Sequence, residues 1–169
     1  MPLQSALIIP IELPAPLAAV RARLGATTSP GLPAHVTILF PFIPVTNLDP
    51  SVGAAVMELA AAMEPFRARF DQVQRQDAMV WLLPAQQEPF LELTAAVLAR
   101  WPAYQPYGGA FNSLIAHLTL VESGGDAITR ATSAALEHGP FEVLVEELQF
   151  IGEVESGGWR ELDRFRLGS

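Results

Sequence analysis

Apolar residues along this chain follow two periods, and the changes between them fall at prolines and glycines. Leu7, Ile8, Ile9 and Ile11 form a near-continuous apolar run that predicts a buried strand over residues 6–12, closed by Pro14 and Pro16. Leu17, Val20 and Leu24 recur at helical spacing, so residues 16–24 read as a short helix with Gly25 as its stop. Residues 27–34 are turn chemistry, Ser29-Pro30-Gly31 and Pro33, and lead into a strand through His35-Val36-Thr37-Ile38 that ends at Pro41. Asp49 or Ser51 caps a second helix running to Met63, with Val52, Val56, Leu59 and Met63 on one face. Phe66, Ala68 and Phe70 alternate with charged residues, and residues 78–83 read as the hairpin partner across Gln76-Asp77. A third helix follows over residues 88–100.

Residues 101–111 hold too many breakers for regular structure and are expected to be a loop. It leads into a strand over residues 114–121, after which Asp126 is expected to cap a helix over residues 128–136 that stops at Gly139-Pro140. Phe141, Val143 and Val145 alternate, residues 148–151 read as the continuation of one long strand, and residues 159–167 pair back across Gly157-Gly158. Strands broken by helices, with several hairpins, predict an α+β fold with antiparallel or mixed sheets.

One pattern occurs twice: His35-Val36-Thr37-Ile38 returns as His117-Leu118-Thr119-Leu120. In a strand, side chains two residues apart share a face, so each copy places an imidazole and a hydroxyl on one side and two apolar residues on the other. With three histidines in the chain, Thr two places after two of them has a chance probability of about 1 in 100. The same order of strand, helix and hairpin surrounds both copies, which suggests an internal duplication. His138, at a predicted helix C-terminus, reads as structural.

Composition narrows the chemistry. The chain is 169 residues and 50% hydrophobic, enough for one domain with a real core, while no apolar run is long enough to span a bilayer. A soluble protein is expected, not a membrane protein. Residues 1–5 lack the positive start of a secretory signal and cysteine is absent, so a cytoplasmic location is expected. Cysteine nucleophiles and thiolate metal sites are excluded, and because all ten basic residues are arginine, so are lysyl intermediates. A net charge of −8 argues against a surface for long nucleic acid but not against one small phosphorylated ligand. A two-histidine metal site has no supporting His-Glu-x-x-His or carboxylate cluster, and no cofactor is expected.

The segment Pro33 to Phe42 and the segment Ala116 to Leu120, 82 residues apart from His35 to His117, resemble the paired His-x-Thr-x motifs of the 2H phosphoesterase superfamily, especially its 2′-5′ RNA ligase-like members. The resemblance covers most of the chain, although only the two tetrapeptides are specific. It implies a bilobal α+β fold in which two pseudo-symmetric, intertwined lobes of one domain, residues 1–169, share a central cleft. It also implies metal-independent action on 2′,3′-cyclic phosphates or 2′-5′ linkages of a nucleotide or short RNA. His35 and His117 are then the catalytic acid and base, and Thr37 and Thr119 bind the non-bridging phosphate oxygens. Phe42, Trp81, Tyr104, Tyr107 and Phe111 are candidates to stack a base or enclose the cleft. Tyr107 is the preferred substrate-binding residue because its loop precedes His117. Arg23, Arg67 or Arg69 could add charge at the phosphate, although the alternating Arg67/Arg69 pair reads better as a solvated face. The competing reading is a non-catalytic module that holds a phosphorylated ligand or RNA end in the same cleft.

Overall fold

The computed structural model describes residues 1–24, 30–110 and 114–169. In chain order these form β1 (Ser5–Pro10), α1 (Ala15–Leu24), β2 (His35–Leu39), α2 (Pro50–Ala61), β3 (Phe66–Gln76), β4 (Met79–Pro84), α3 (Glu88–Arg100), β5 (Leu118–Glu122), α4 (Asp126–His138), β6 (Phe141–Val145), β7 (Glu147–Glu153) and β8 (Trp159–Arg166). The eight strands make one sheet in the order β6-β3-β4-β5-β2-β1-β7-β8, and every pairing is antiparallel. This is the α+β class that the sequence predicts.

The order is symmetric about its centre, where β5 meets β2. On one side β5 pairs with β4, and on the other β2 pairs with β1. The helices cross over: α1, which precedes β2, packs on β5 and α4, while α3, which precedes β5, packs on β2 and α2. Each half of the sheet is thus covered partly by a helix from the other. The helices contribute Leu17, Val56, Phe90, Leu93, Val97 and Ile128 to one core with Leu7, Ile9, Val36, Ile38, Leu118 and Leu120 of the central strands. A smaller cluster of Ala6, Ile8 and Ile151, packed by Phe40 and Trp159, holds the opposite face near one end. No helix among the described residues is long and apolar enough to cross a membrane.

Phe141 to Ile151 is not one long strand. Glu146 alone separates β6 from β7, yet β6 pairs with β3 at one end of the sheet and β7 with β1 near the other. In a flat sheet six strand spacings would separate them by about 29 Å, far beyond the reach of two residues. The sheet must therefore curl so that the end of β6 comes beside the start of β7, and its open face becomes concave.

Other boundaries shift for local reasons. The first strand ends at Pro10, earlier than expected, and β3 runs on to Gln76 through a register shift between Phe70 and Gln72. Asp126 is the first residue of α4 rather than its cap, which is Gly125. Asp49 does cap α2, accepting from the Ser51 N–H at 2.7 Å. The expected stop at Gly25 and part of the loop over residues 27–34 lie outside the described residues.

Candidate functional site

The two His-x-Thr segments lie on adjacent antiparallel strands with Val36 opposite Leu118. Continuing that register sets His35 opposite Thr119 and Thr37 opposite His117, so each imidazole faces the hydroxyl of the other copy. Val36, Ile38, Leu118 and Leu120 are buried in the core, and the four polar residues line one cavity on the concave face. The period-2 reading of both segments therefore holds, with one correction. The second strand begins at Leu118, not at residue 114, and His117 stands immediately before it.

Ala116, the residue before His117, is held by Gln87. The Gln87 side-chain oxygen accepts from the Ala116 N–H at 2.6 Å, and its amide nitrogen donates to the Ala116 carbonyl at 2.9 Å. Continuing the β4–β5 register sets Pro84, the last residue of β4 and one without an N–H, opposite Ala116, and a side-chain amide takes the place of a backbone peptide. At the corresponding place in the other half, the backbone itself serves: the Ile11 N–H donates to the Ala34 carbonyl at 2.8 Å.

Both imidazoles are oriented alike. His35 Nδ1 lies 2.7 Å from the Pro33 carbonyl and His117 Nδ1 lies 2.9 Å from the Ile115 carbonyl. A carbonyl can only accept, so Nδ1 carries the proton in each ring and Nε2 is the acceptor of the neutral form. Their surroundings differ. Burial pushes His35 down to about 4; the bond to Pro33 works against this, and the charges of Arg21 and His117 add to it. Burial also lowers His117, opposed by its bond to Ile115. Trp81, on β4, stacks on the His117 ring with centroids 3.9 Å apart and planes at 20°.

The cavity has a volume of about 440 Å³, within the range of small-molecule sites. Besides the His and Thr pairs it is lined by Tyr107, Trp81, Met79, Gln74 and Gln76. Tyr107, a candidate from its loop position before His117, lines the cavity. Its N–H donates to the Phe40 carbonyl at 2.6 Å, its backbone is left-handed at φ 49°, and its hydroxyl hydrogen-bonds with Thr37. Burial raises its phenol above the ordinary value, with the Thr37 bond acting the other way.

Of the other aromatic candidates among the described residues, only Trp81 lines the cavity. Phe42 is buried against Trp101, Tyr104 and Phe150, so Phe42 and Tyr104 are core, and Phe111 lies outside the described residues. Arg67 pairs with Glu142 at 3.4 Å and Arg69 with Asp71 at 3.9 Å, while Arg23 is exposed on α1; none lines the cavity. The arginine whose charge reaches His35 is Arg21, which donates to the Leu32 carbonyl at 2.8 Å. His138 ends α4, as expected. Among the described residues no group of three or more His, Asp or Glu is placed to hold a metal ion.

A family model described as the 2′-5′ RNA ligase superfamily matches residues 9–156. No curated protein matches the sequence. Among solved structures, TT0787 of Thermus thermophilus superposes with a TM-score of 0.63 at 19% identity, covering 98% of each chain. Apo LigT of E. coli superposes at 0.59 with 18% identity, covering 100% of this chain and 99% of that one. LigT complexed with 3′-AMP gives 0.60 at 18% identity over all of both chains. At these identities the likeness establishes a shared fold, including the curled eight-stranded sheet.

Proposed function

Since this chain belongs to the 2′-5′ RNA ligase superfamily, we propose that it is a metal-independent phosphoesterase that opens 2′,3′-cyclic phosphates or cleaves 2′-5′ linkages of a nucleotide or short RNA. The observation that carries the reading is the convergence of two His-x-Thr pairs, remote in sequence, on one concave cavity with both Nε2 atoms as acceptors. Solved LigT complexes with 3′-AMP, NADP+ and ATP support a nucleotide-sized ligand.

His35 is the base and His117 the acid. Burial keeps His35 neutral through most of the acidic range, so its Nε2 takes the proton from a water that attacks phosphorus. The phosphorus–oxygen bond to the departing ribose oxygen breaks, and His117 Nε2–H protonates that oxygen. The indole face of Trp81 favours the imidazolium this role requires. Thr37 and Thr119 donate to the non-bridging oxygens, where negative charge gathers, and Tyr107 fixes the Thr37 hydroxyl. Proton exchange with solvent then resets both rings. In the joining direction the two histidines exchange roles.

Turnover of 2′,3′-cyclic nucleotides and 2′-5′-linked dinucleotides in EDTA, with products identified by chromatography, tests this. The unmodified protein is expected to turn over at least one of these classes. Binding of nucleotides by the folded protein without turnover would instead support the non-catalytic module.

A further inference from the structure

The lobe of the cavity beyond His117 is lined by Gln74 and Gln76 of β3 and by their cross-strand partners Trp81 and Met79. The glutamines reach this face because of the register shift between Phe70 and Gln72. Before it, Ala68 and Phe70 point into the core; after it, Val73 packs on the core and Gln74 and Gln76 line the cavity. A bulge commonly re-aims side chains in this way beside a site.

Gln74 Nε2 donates to Gln76 Oε1 at 3.2 Å. That bond uses one donor and one acceptor and leaves the pair with a carbonyl oxygen and an amide N–H₂ to offer. Reversing both amides leaves the same inventory, so the result does not depend on how each is oriented. No arginine lines the cavity, and residues 25–29 and 111–113 contain no charged side chain. A second phosphate or a carboxylate would find no arginine here, and His117 is committed to the reacting phosphate. A purely apolar ligand would strand two amides, at a cost for each group left unpaired. The chemistry that fits is flat, uncharged, and able to give and accept hydrogen bonds along one edge beside apolar surface.

We infer that Gln74 and Gln76 read the edge of the substrate's nucleobase, with Trp81 and Met79 as the flanking apolar wall, so that the cavity accepts a phosphodiester by its base as well as its phosphate. This rests on the phosphoesterase reading above. A site built to hydrogen-bond a group rejects analogues lacking it more strongly than an apolar pocket rejects a missing methylene.

The test compares kcat/KM for the four nucleoside 2′,3′-cyclic phosphates with that for glycerol 1,2-cyclic phosphate, which has no base. The proteins are the unmodified chain, Gln74→Leu, Gln76→Leu and the double variant, each checked for an unchanged Tm. The expected result is a fall of about tenfold or more in the ratio of nucleotide to base-free kcat/KM in the double variant, with altered ranking among the four bases. A ratio unchanged in the double variant overturns the inference, as does an equal loss on both kinds of substrate. Should the unmodified protein turn over nothing, the phosphoesterase reading falls separately. Calorimetric titration with a nucleoside monophosphate and with ribose 5-phosphate then decides the present point. Preference for the nucleotide that is lost in the double variant supports it, and no preference overturns it.

Discussion

The two imidazoles share a tautomer and differ in environment, and that difference makes a pH prediction. His35 is held down to about 4, and His117 is lowered from its ordinary 6.5. For hydrolysis the base must be neutral and the acid protonated, so kcat/KM should rise as pH passes the His35 value and fall as it passes that of His117. The expected optimum lies between about 4 and 6.5, on the acidic side of neutrality, and a pH–rate profile of the free enzyme checks it. A plateau that begins above pH 7 would contradict the assignment of His35 as base. Replacing Trp81 tests the stack: Trp81→Phe retains an aromatic face and should keep most activity, whereas Trp81→Ala should lose about tenfold or more in kcat. At this scale the sequence was informative where the strand period sufficed, since His35, Thr37, His117 and Thr119 needed only a spacing of two to share a face. Trp81 could not be separated from core aromatics such as Phe42, because its contact with His117 depends on the register of β4 against β5.

Between elements, the least legible feature was the clamp on Ala116, the residue before His117. Gln87 precedes α3 and makes no side-chain cap bond to it; its amide is engaged with Ala116. Nothing in local patterning distinguishes such a glutamine from a solvated one, and the expected strand from residue 114 hid the gap in the ladder that it fills. Gln87→Leu should leave the buried Ala116 N–H and carbonyl without these partners, destabilising the fold by about 1–3 kcal/mol. Because the freed segment carries His117, kcat should fall by about tenfold or more with KM nearly unchanged. Thermal unfolding and steady-state kinetics read the two effects, and an unchanged kcat would make the clamp purely structural. The helices were more legible: α3 coincides with the predicted residues 88–100, bounded by Glu88-Pro89 and Trp101-Pro102. The break at Glu146 was not, since alternation continues across it and only pairing with opposite ends of the sheet divides β6 from β7.

Over the whole molecule, charge is the feature that acts at long range. The net charge is −8, and beyond Pro10 and Pro33 a groove of about 950 Å³ is lined by Glu12, Glu142, Glu146 and Glu147. Arg164, in the same groove, is paired with Glu147 at 2.9 Å and Glu161 at 2.7 Å. A polynucleotide extending along this surface would meet repulsion, whereas most nucleic-acid binders weaken as salt rises. We therefore predict that kcat/KM is lower for a ten-nucleotide RNA ending in a cyclic phosphate than for a cyclic mononucleotide at low salt. The gap should narrow between about 50 and 200 mM salt. A preference for the longer substrate that declines with salt would contradict this. The fold class was readable from the order of elements, but not the curl of the sheet, which follows from one residue joining β6 at one end to β7 near the other.

The most direct test of the account is a double-variant cycle on cyclic-nucleotide turnover in EDTA, using His35→Gln, His117→Gln and the two together. If both imidazoles serve one transition state, each single change should cost about 10²- to 10⁴-fold in kcat, and the double variant should be little worse than the poorer single. Full activity in either single variant, or activity that EDTA abolishes in the unmodified protein, would contradict the two-histidine mechanism.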